Sequence, residues 1–269
     1  MNNQNEGVGS RLTQMGLEYR ESGSEIVIKE CPLCPPHQDK PDNLWKLNIN
    51  VEKGLYCCHR CPDSKGTLKH FFEKTEKQVW CKKIWNDSIA ANENDALPLR
   101  LYFKNRGLSP DSHLESIRFH RTLSNGELHF PALVARVSNL GHQLVGIQRI
   151  FLTQDGKKAP VDQVKMSLGS VIGSAVQLDH VGDTLAVAEG IETALAVRQI
   201  TKLPTWSAVS APGMERLIIP GTVKVVRIFS DFDPKGRGQN AAEKLAARLH
   251  KNGMRVFVHT PQPEMIRGH

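Results

Sequence analysis

Three carboxylates carry the first recognisable chemistry in this 269-residue chain. Glu189 closes the apolar run "LAVA" and is followed by Gly190 and the helix-like "IETALAVRQ". Asp231 and Asp233 close "VKVVRIF" and lead into the basic, glycine-containing loop "PKGRG". Alternation along an extended chain puts Asp231 and Asp233 on the same side. Carboxylates crowded at one edge repel one another, and an unpaired buried charge is costly. A hard divalent cation removes the conflict. Mg2+ or Mn2+ takes a few carboxylate oxygens together with substrate phosphate oxygens, and two such ions activate an attacking hydroxyl and stabilise a leaving pyrophosphate. The chemistry on offer is metal-assisted transfer at phosphorus. The alternative is that the acids are ordinary solvated residues at strand ends. Glu192, one helical turn further on, is expected to face solvent, to cap its helix or to support the site.

A second set of ligand types lies upstream. Cys31 and Cys34 form one C-x-x-C, Cys58 and Cys61 form another, and 23 residues separate the pairs. Two such knuckles supply four thiolates in a tetrahedron, the arrangement of a structural zinc site. Cys57 adjoins Cys58, but the C-x-x-C spacing selects Cys58. His37 and His59 are expected at the surface, with replacement of a thiolate left open, and Cys81 is expected as a core thiol. Between the pairs, Trp45, Leu47, Ile49 and Val51 alternate with Lys46, Asn48 and Asn50, the period of a strand. "EKG" turns the chain and "LYCC" begins a return strand. The pattern predicts a zinc ribbon, a hairpin that needs its metal to fold. One strand face is then free. Trp45 can stack on a base while Lys46, Asn48 and Asn50 meet base edges or phosphate. Equally, Trp45 can be the small core of the ribbon.

The elements that must position these groups follow from the hydrophobic pattern. From residue 183 onward, short apolar runs alternate with helical ones. Leu185 to Ala188 is a strand, "IETALAVRQ" a helix, and "PTWSAVSAPGMERL" a strand, turn and helix start. "VKVVRIFSDFDP" is a strand, "QNAAEKLAARLHKNG" a helix stopped by Gly253, and "MRVFVHT" a last strand. This order implies a parallel sheet with crossover helices, in which functional groups gather at the carboxyl ends of the strands. The expected fold class is α/β: a parallel sheet with flanking helices, preceded by a mixed α+β basic subdomain and an N-terminal zinc ribbon. The expected boundaries are 1–85 for the ribbon domain, 86–97 for an acidic, Asn-rich linker that leaves it mobile, 98–182 for the basic subdomain and 183–269 for the parallel sheet.

Composition narrows the function classes. With 39% hydrophobic and 23% charged residues the chain is globular. No apolar run approaches the roughly 18 residues of a membrane span, and the polar N-terminus has no signal-peptide core. A cytoplasmic protein with no membrane contact is expected, whose cysteines serve metal rather than disulfides. The formal net charge is +7, with about +4 on each of the segments 97–180 and 181–269. That excess fits an anionic partner such as nucleic acid. No G-x-x-x-x-G-K loop occurs, so no NTPase motor of that type is recognisable.

"VAEGIETALA" and "IFSDFDPKGRGQNAA" resemble the Toprim domain shared by bacterial-type primases, topoisomerases and some nucleases. "CPLC" with "LYCCHRC" is similar to the zinc-binding domain of primases from bacteria, phages and plasmids, with Cys34 where the bacterial enzymes often carry His and phage enzymes commonly carry Cys. "LYFKNRGLS" resembles the YL-x-x-RGL element that opens the primase polymerase domain. "LHFPALVARVSNLGHQLVGIQRIF" resembles its strand pair, and "KMSLG" sits at its lysine segment. The likeness spans about residues 25–262 and is nearest to primases of phages and mobile elements.

The resemblance implies a DNA-dependent RNA primase that makes short primers on single-stranded DNA from nucleoside triphosphates. Glu189, Asp231 and Asp233 would bind catalytic Mg2+ or Mn2+, and Cys31, Cys34, Cys58 and Cys61 one structural Zn2+. Arg149 and Lys165 would contact template or incoming nucleotide. Arg106 would do likewise or merely close its helix, and Lys235 and Arg237 would meet the triphosphate. Trp45, Lys46 and Asn48 would read the template. For each basic residue, Lys157 and Lys158 included, the alternative is a solvated surface charge. Related proteins often continue into a helix bundle or a helicase, so this chain is expected to act alone or to recruit a replicative helicase in trans. Two rivals share these motifs: a Toprim nuclease with water as nucleophile, and a non-catalytic recombination-mediator-like DNA-binding protein. Against the second, more than 100 residues separate Cys61 from Glu189.

Overall fold

A computed structural model describes residues 3–33, 44–60, 65–109, 114–231 and 233–260. It divides into two compact units, Met1–Lys82 and Lys83–His269.

The first unit holds helix α1 (Asn3–Gln14), strands β1 (Tyr19–Ser22), β2 (Glu25–Ile28), β3 (Leu47–Asn50), β4 (Leu55–Cys58) and β5 (Lys65–Thr67), and the start of helix α2 (Leu68–Asp87). The strands form one antiparallel sheet in chain order. The predicted hairpin is present as β3 and β4, with Leu47 opposite Cys58 and Ile49 opposite Tyr56. It lies inside a larger sheet with an apolar core of its own. Ile26, Ile28, Leu47, Ile49 and Tyr56 are buried on one face with Leu12, Phe71 and Phe72. Each such side chain stabilises the unit by roughly 1.5–3 kcal/mol relative to exposure, so the fold draws on more than a metal staple. Trp45, expected within the strand, stands before it with a φ of +59°. That left-handed backbone takes its side chain out of the alternation.

The second unit opens with β6 (Ile89–Ala90), a 3-10 turn (Asn94–Ala96) and α3 (Leu97–Lys104). Then come β7 (Ile117–Ser124), β8 (His129–Ser138), β9 (Leu144–Phe151) and β10 (Lys165–Gly169), which with β6 make an antiparallel sheet in the order β10-β9-β8-β7-β6. Residues 86–97, expected as a linker, instead help to build this unit. Ile89 pairs with Phe119 and Ala96 is fully buried. The Asn- and Asp-rich composition of the stretch hid those few apolar anchors.

The remaining elements are β11 (Val176–Gln177), β12 (Thr184–Ala188), α4 (Ile191–Thr201), β13 (Thr205–Ser207), α5 (Ala211–Arg216), β14 (Val225–Phe229), α6 (Arg237–Lys251) and β15 (Arg255–His259). Their sheet has the order β11-β13-β12-β14-β15. Four strands are parallel, as the strand–helix alternation predicted, and β11 joins antiparallel to β13. One face packs against α5 and α6 through Leu185, Val187, Trp206, Val226 and Ile228 with Met214, Leu217, Leu245 and Leu249. On the other side Ala188, Ile191, Ala194 and Leu195 share a single core with Leu99, Tyr102 and Phe103 of α3 and with Ile117, Leu133 and Ile150 of the antiparallel sheet. The segments 98–182 and 183–269 are therefore joined by a common core and by β11. No helix among the described residues is long and apolar enough to cross a membrane.

Candidate metal and phosphate site

Strands β12 and β14 are parallel neighbours, with Ala188 opposite Phe229. Their registered ends bring Glu189, one residue past β12, and Asp231, two residues past β14, to the same edge of the sheet. Helix α4 begins at Ile191 and α6 at Arg237, each just after its acid. The sheet thus does what its sequence pattern implied: it gathers acids at strand ends beside helix N-termini.

Each acid has a different set of partners. The Glu189 carboxylate accepts the backbone N–H of Ala211, and its carbonyl oxygen accepts the Ser207 hydroxyl at 3.0 Å. Burial pushes the pKa of Glu189 up, and the neighbouring charges of Asp231 and, more weakly, Asp233 add to the rise against the opposing pull of Arg237. Asp231 accepts the Thr193 hydroxyl at 2.7 Å. Asp233 turns back into its own loop. Its carboxylate accepts the N–H of Lys235 at 2.9 Å and of Arg237 at 3.3 Å, and its carbonyl accepts the N–H of Gly236 at 2.8 Å. It thereby satisfies amides at the start of α6 that the helix itself leaves without partners.

Gly238 sets the spacing of this edge. A Cβ at that position would lie 3.1 Å from Oε2 of Glu189 and 3.2 Å from the carbonyl oxygen of Asp231. The first turn of α6 approaches the acids this closely because no side chain intervenes. The donor set, hard oxygens bearing excess negative charge in a cradle that a methyl group would fill, suits Mg2+ or Mn2+. Among the described residues, no three His, Cys, Asp or Glu side chains stand close enough together to hold a metal ion as they are.

The basic residues named from sequence fall in two places. Lys235 is exposed in the loop before α6, and Arg237 is exposed as the first residue of that helix. Lys165 Nζ donates to Glu192 Oε2 at 2.9 Å, and the Arg106 guanidinium lies 3.8 Å from the centre of the Tyr102 ring. Glu192 does not face solvent. It accepts the Tyr102 hydroxyl at 2.8 Å and pairs with Lys158 at 3.4 Å. These ammonium and hydroxyl partners outweigh its burial and hold its pKa at about 2. Arg149 is buried in β9 opposite Met166, whereas Lys165 is opposite Ile150. Successive strand residues face opposite ways, so Arg149 and Lys165 lie on different faces of the antiparallel sheet. Tyr102 and Thr193 are polar residues of this neighbourhood to which the sequence assigned no role.

In the first unit, Cys58 is buried on the core face of β4 and Cys31 is half-buried against the same cluster, whereas Cys57 is exposed. Strand alternation thus puts Cys58 and Cys57 on opposite faces of β4. Cys34 and Cys61 lie outside the described residues, as does His37. Trp45 is half-buried beneath the Arg20 guanidinium, 3.9 Å from its ring centre. Arg20, Val27, Asn48 and Cys57 form a cross-strand row on the face opposite the core. Lys46 is exposed beside that row.

Comparison with known proteins gives two family matches. Residues 184–265 match the Toprim domain, and residues 75–178 match a domain of unknown function, DUF7146. No curated protein matches the chain. Among solved structures it is similar to the Aquifex aeolicus primase comprising zinc-binding and RNA polymerase domains, at 12% identity over 94% of this chain and 76% of that one, with a TM-score of 0.43. It is similar also to a DnaG primase catalytic domain bound to ssDNA, at 13% identity over 67% and 69% of the two chains, with a TM-score of 0.48. A DNA primase domain from Pseudomonas aeruginosa matches at 13% identity over 68% and 70%, with a TM-score of 0.47.

Proposed function

With residues 184–265 a Toprim domain as the premise, we propose that this chain is a DNA-dependent RNA primase that joins nucleoside triphosphates on single-stranded DNA. The observation that carries this reading is the edge where Glu189 and Asp231 meet beside the basic loop of Lys235 and Arg237. Two cysteine pairs upstream point the same way.

Glu189, Asp231 and Asp233 would hold Mg2+ or Mn2+, which when bound would supply activation of the attacking hydroxyl and neutralisation of the leaving group. The protein's own groups position the reactants. Glu189 and Asp231 present their oxygens at fixed strand ends, and Gly238 leaves room beside them. Lys235, Arg237 and the positive end of α6 face the phosphates. Lys165 and Arg106 approach from the antiparallel subdomain. The new bond joins the 3′-oxygen of one nucleotide to the α-phosphorus of the next. The bond to the β-phosphate breaks, pyrophosphate leaves, and the hydroxyl proton passes to solvent. No side-chain nucleophile is needed, because positioning contributes most of the rate.

In the first unit, Cys31, Cys34, Cys58 and Cys61 would hold one structural zinc, and Trp45, Lys46 and Asn48 would take the template, with Arg20 over the Trp45 ring. The test is direct. Purified chain, single-stranded templates of varied sequence, labelled ribonucleotides and Mg2+ should yield labelled oligoribonucleotides. Cleaved template with no oligoribonucleotide on any template would overturn the primase reading in favour of a nuclease.

A further inference from the structure

Glu192 sits where two parts of the second unit meet, and both of its oxygens are engaged. Oε1 accepts the Tyr102 hydroxyl at 2.8 Å and lies 3.4 Å from Lys158 Nζ, and Oε2 accepts Lys165 Nζ at 2.9 Å. Its side chain is 19% exposed, while those of Lys158 and Lys165 are 39% and 37% exposed. The lysines therefore reach inward to a sheltered carboxylate and keep part of their surface open. An ammonium has three donors, so one bond to Glu192 leaves others available. Arg106, stacked on Tyr102, adds a third positive charge. One carboxylate against three cations leaves a local excess of positive charge. Glu192 also adjoins Thr193, whose hydroxyl holds Asp231. A single turn of α4 thus connects the acid edge on one side with the lysines on the other.

We propose that Glu192, supported by Tyr102, is a positioning residue for a two-lysine phosphate subsite, Lys158 and Lys165, that takes the triphosphate of the incoming nucleotide. Two lysines left to themselves repel one another and sample many rotamers. A shared carboxylate orders both before the ligand arrives, which lowers the entropic cost of binding. The subsite deepens the nucleotidyl-transfer reading and rests on it, but its binding test does not need turnover.

The experiment uses the full chain, a fluorescent nucleoside triphosphate with Mg2+, and fluorescence anisotropy. Glu192→Gln is expected to weaken triphosphate binding about 10-fold and to raise the KM for nucleotide in primer synthesis by a similar factor, with kcat within about 3-fold. Lys165→Gln should give a comparable loss. The double variant should lose no more than about 2-fold beyond either single one, because the two act as one unit. Affinity for single-stranded DNA should stay within about 2-fold of wild type. Unchanged triphosphate binding in Glu192→Gln, or losses that multiply in the double variant, would overturn the proposal. So would a loss confined to DNA binding, which would assign the lysines to template phosphodiesters. Should Glu192→Gln fail to fold by circular dichroism, Tyr102→Phe takes its place, with an expected loss of about 3-fold for one hydrogen bond; no loss overturns the proposal. A wild-type chain that binds triphosphate but makes no oligoribonucleotide would sink the primase reading and leave the subsite standing.

Discussion

Replacing Gly238 by alanine sets helix propensity against the geometry of the acid edge. Gly238 is the second residue of α6, where glycine costs up to about 1 kcal/mol relative to alanine. On propensity alone the substitution stabilises the helix. The added methyl, however, would stand 3.1 Å from Glu189 Oε2 and 3.2 Å from the Asp231 carbonyl. Ordinary contacts of this kind begin near 3.4 Å, so each neighbour must yield by a few tenths of an ångström. The Glu189 carboxylate is the far end of a side chain and can swing away cheaply. The Asp231 carbonyl is backbone and moves only with its loop. The two terms nearly cancel in stability, so the melting temperature should stay within about 4 °C of wild type. Function has no such compensation, because a misplacement of 1 Å at a reacting centre costs about 100-fold and a shift of a few tenths of an ångström costs a part of that. Primer synthesis should fall about 3- to 10-fold, and the Mg2+ concentration for half-maximal rate should rise. Gly221→Ala is the matched control, since nothing lies within 4 Å of its added Cβ. Wild-type rate and Mg2+ dependence in Gly238→Ala would refute the assignment of this edge as the metal site.

Glu189→Gln should abolish primer synthesis yet raise the melting temperature of the metal-free protein at pH 7, because it removes a buried charge crowded by Asp231 and Asp233. A lowered melting temperature by scanning calorimetry would contradict that crowding. For Glu192 the folded pKa of about 2 lies below the ordinary 4.5, so its contribution to stability is complete above about pH 4.5 and fades as pH falls towards 2. Its size is on the order of 2–3 kcal/mol. Denaturation curves for wild type and Glu192→Gln should therefore converge between pH 4.5 and 2, and curves that stay parallel would remove Glu192 from the ion-pair network. Purified chain should contain one zinc per molecule by elemental analysis, reduced in Cys31→Ser and Cys58→Ser and unchanged in Cys57→Ser. A wild-type zinc content well below one would remove the four-thiolate site.

Much of the candidate site was legible because it is built from local patterns. Glu189 follows the apolar strand β12 directly and Asp231 lies two residues past β14, whose only charged residue is Arg227, and parallel strands align such ends without further instruction. Cys58 was separable from Cys57 by spacing and again by strand alternation. The partners of Glu192 were not legible. Tyr102 lies 90 residues away and Lys165 lies 27 away, and neither carries a periodic signal pointing towards α4. Tyr102 in particular has the sequence context of a core aromatic, which it also is. Asp233 looked equivalent to Asp231, but its loop contains several amides in need of an acceptor and claims its carboxylate. Residues 86–97 read as a linker because composition averages over a window, whereas one pairing by Ile89 and one buried Ala96 suffice to anchor the segment.

The two-residue strand β11 has a consequence for anyone who treats the Toprim domain as a portable cassette. A fragment cut at residue 183 would lose β11 and expose the edge of β13. It would also bare much of Ala188, Ile191, Ala194 and Leu195, most of whose core partners lie upstream. Such a fragment would carry both acid-bearing loops and still be a poor solution species, sticky along one face and open along one edge. Transplanting the acid-bearing edge into another protein therefore means carrying the antiparallel sheet with it. Variation inherited by this protein would be expected to follow the same seam, with changes at Leu133 or Ile150 answered in helix α4 rather than within their own sheet.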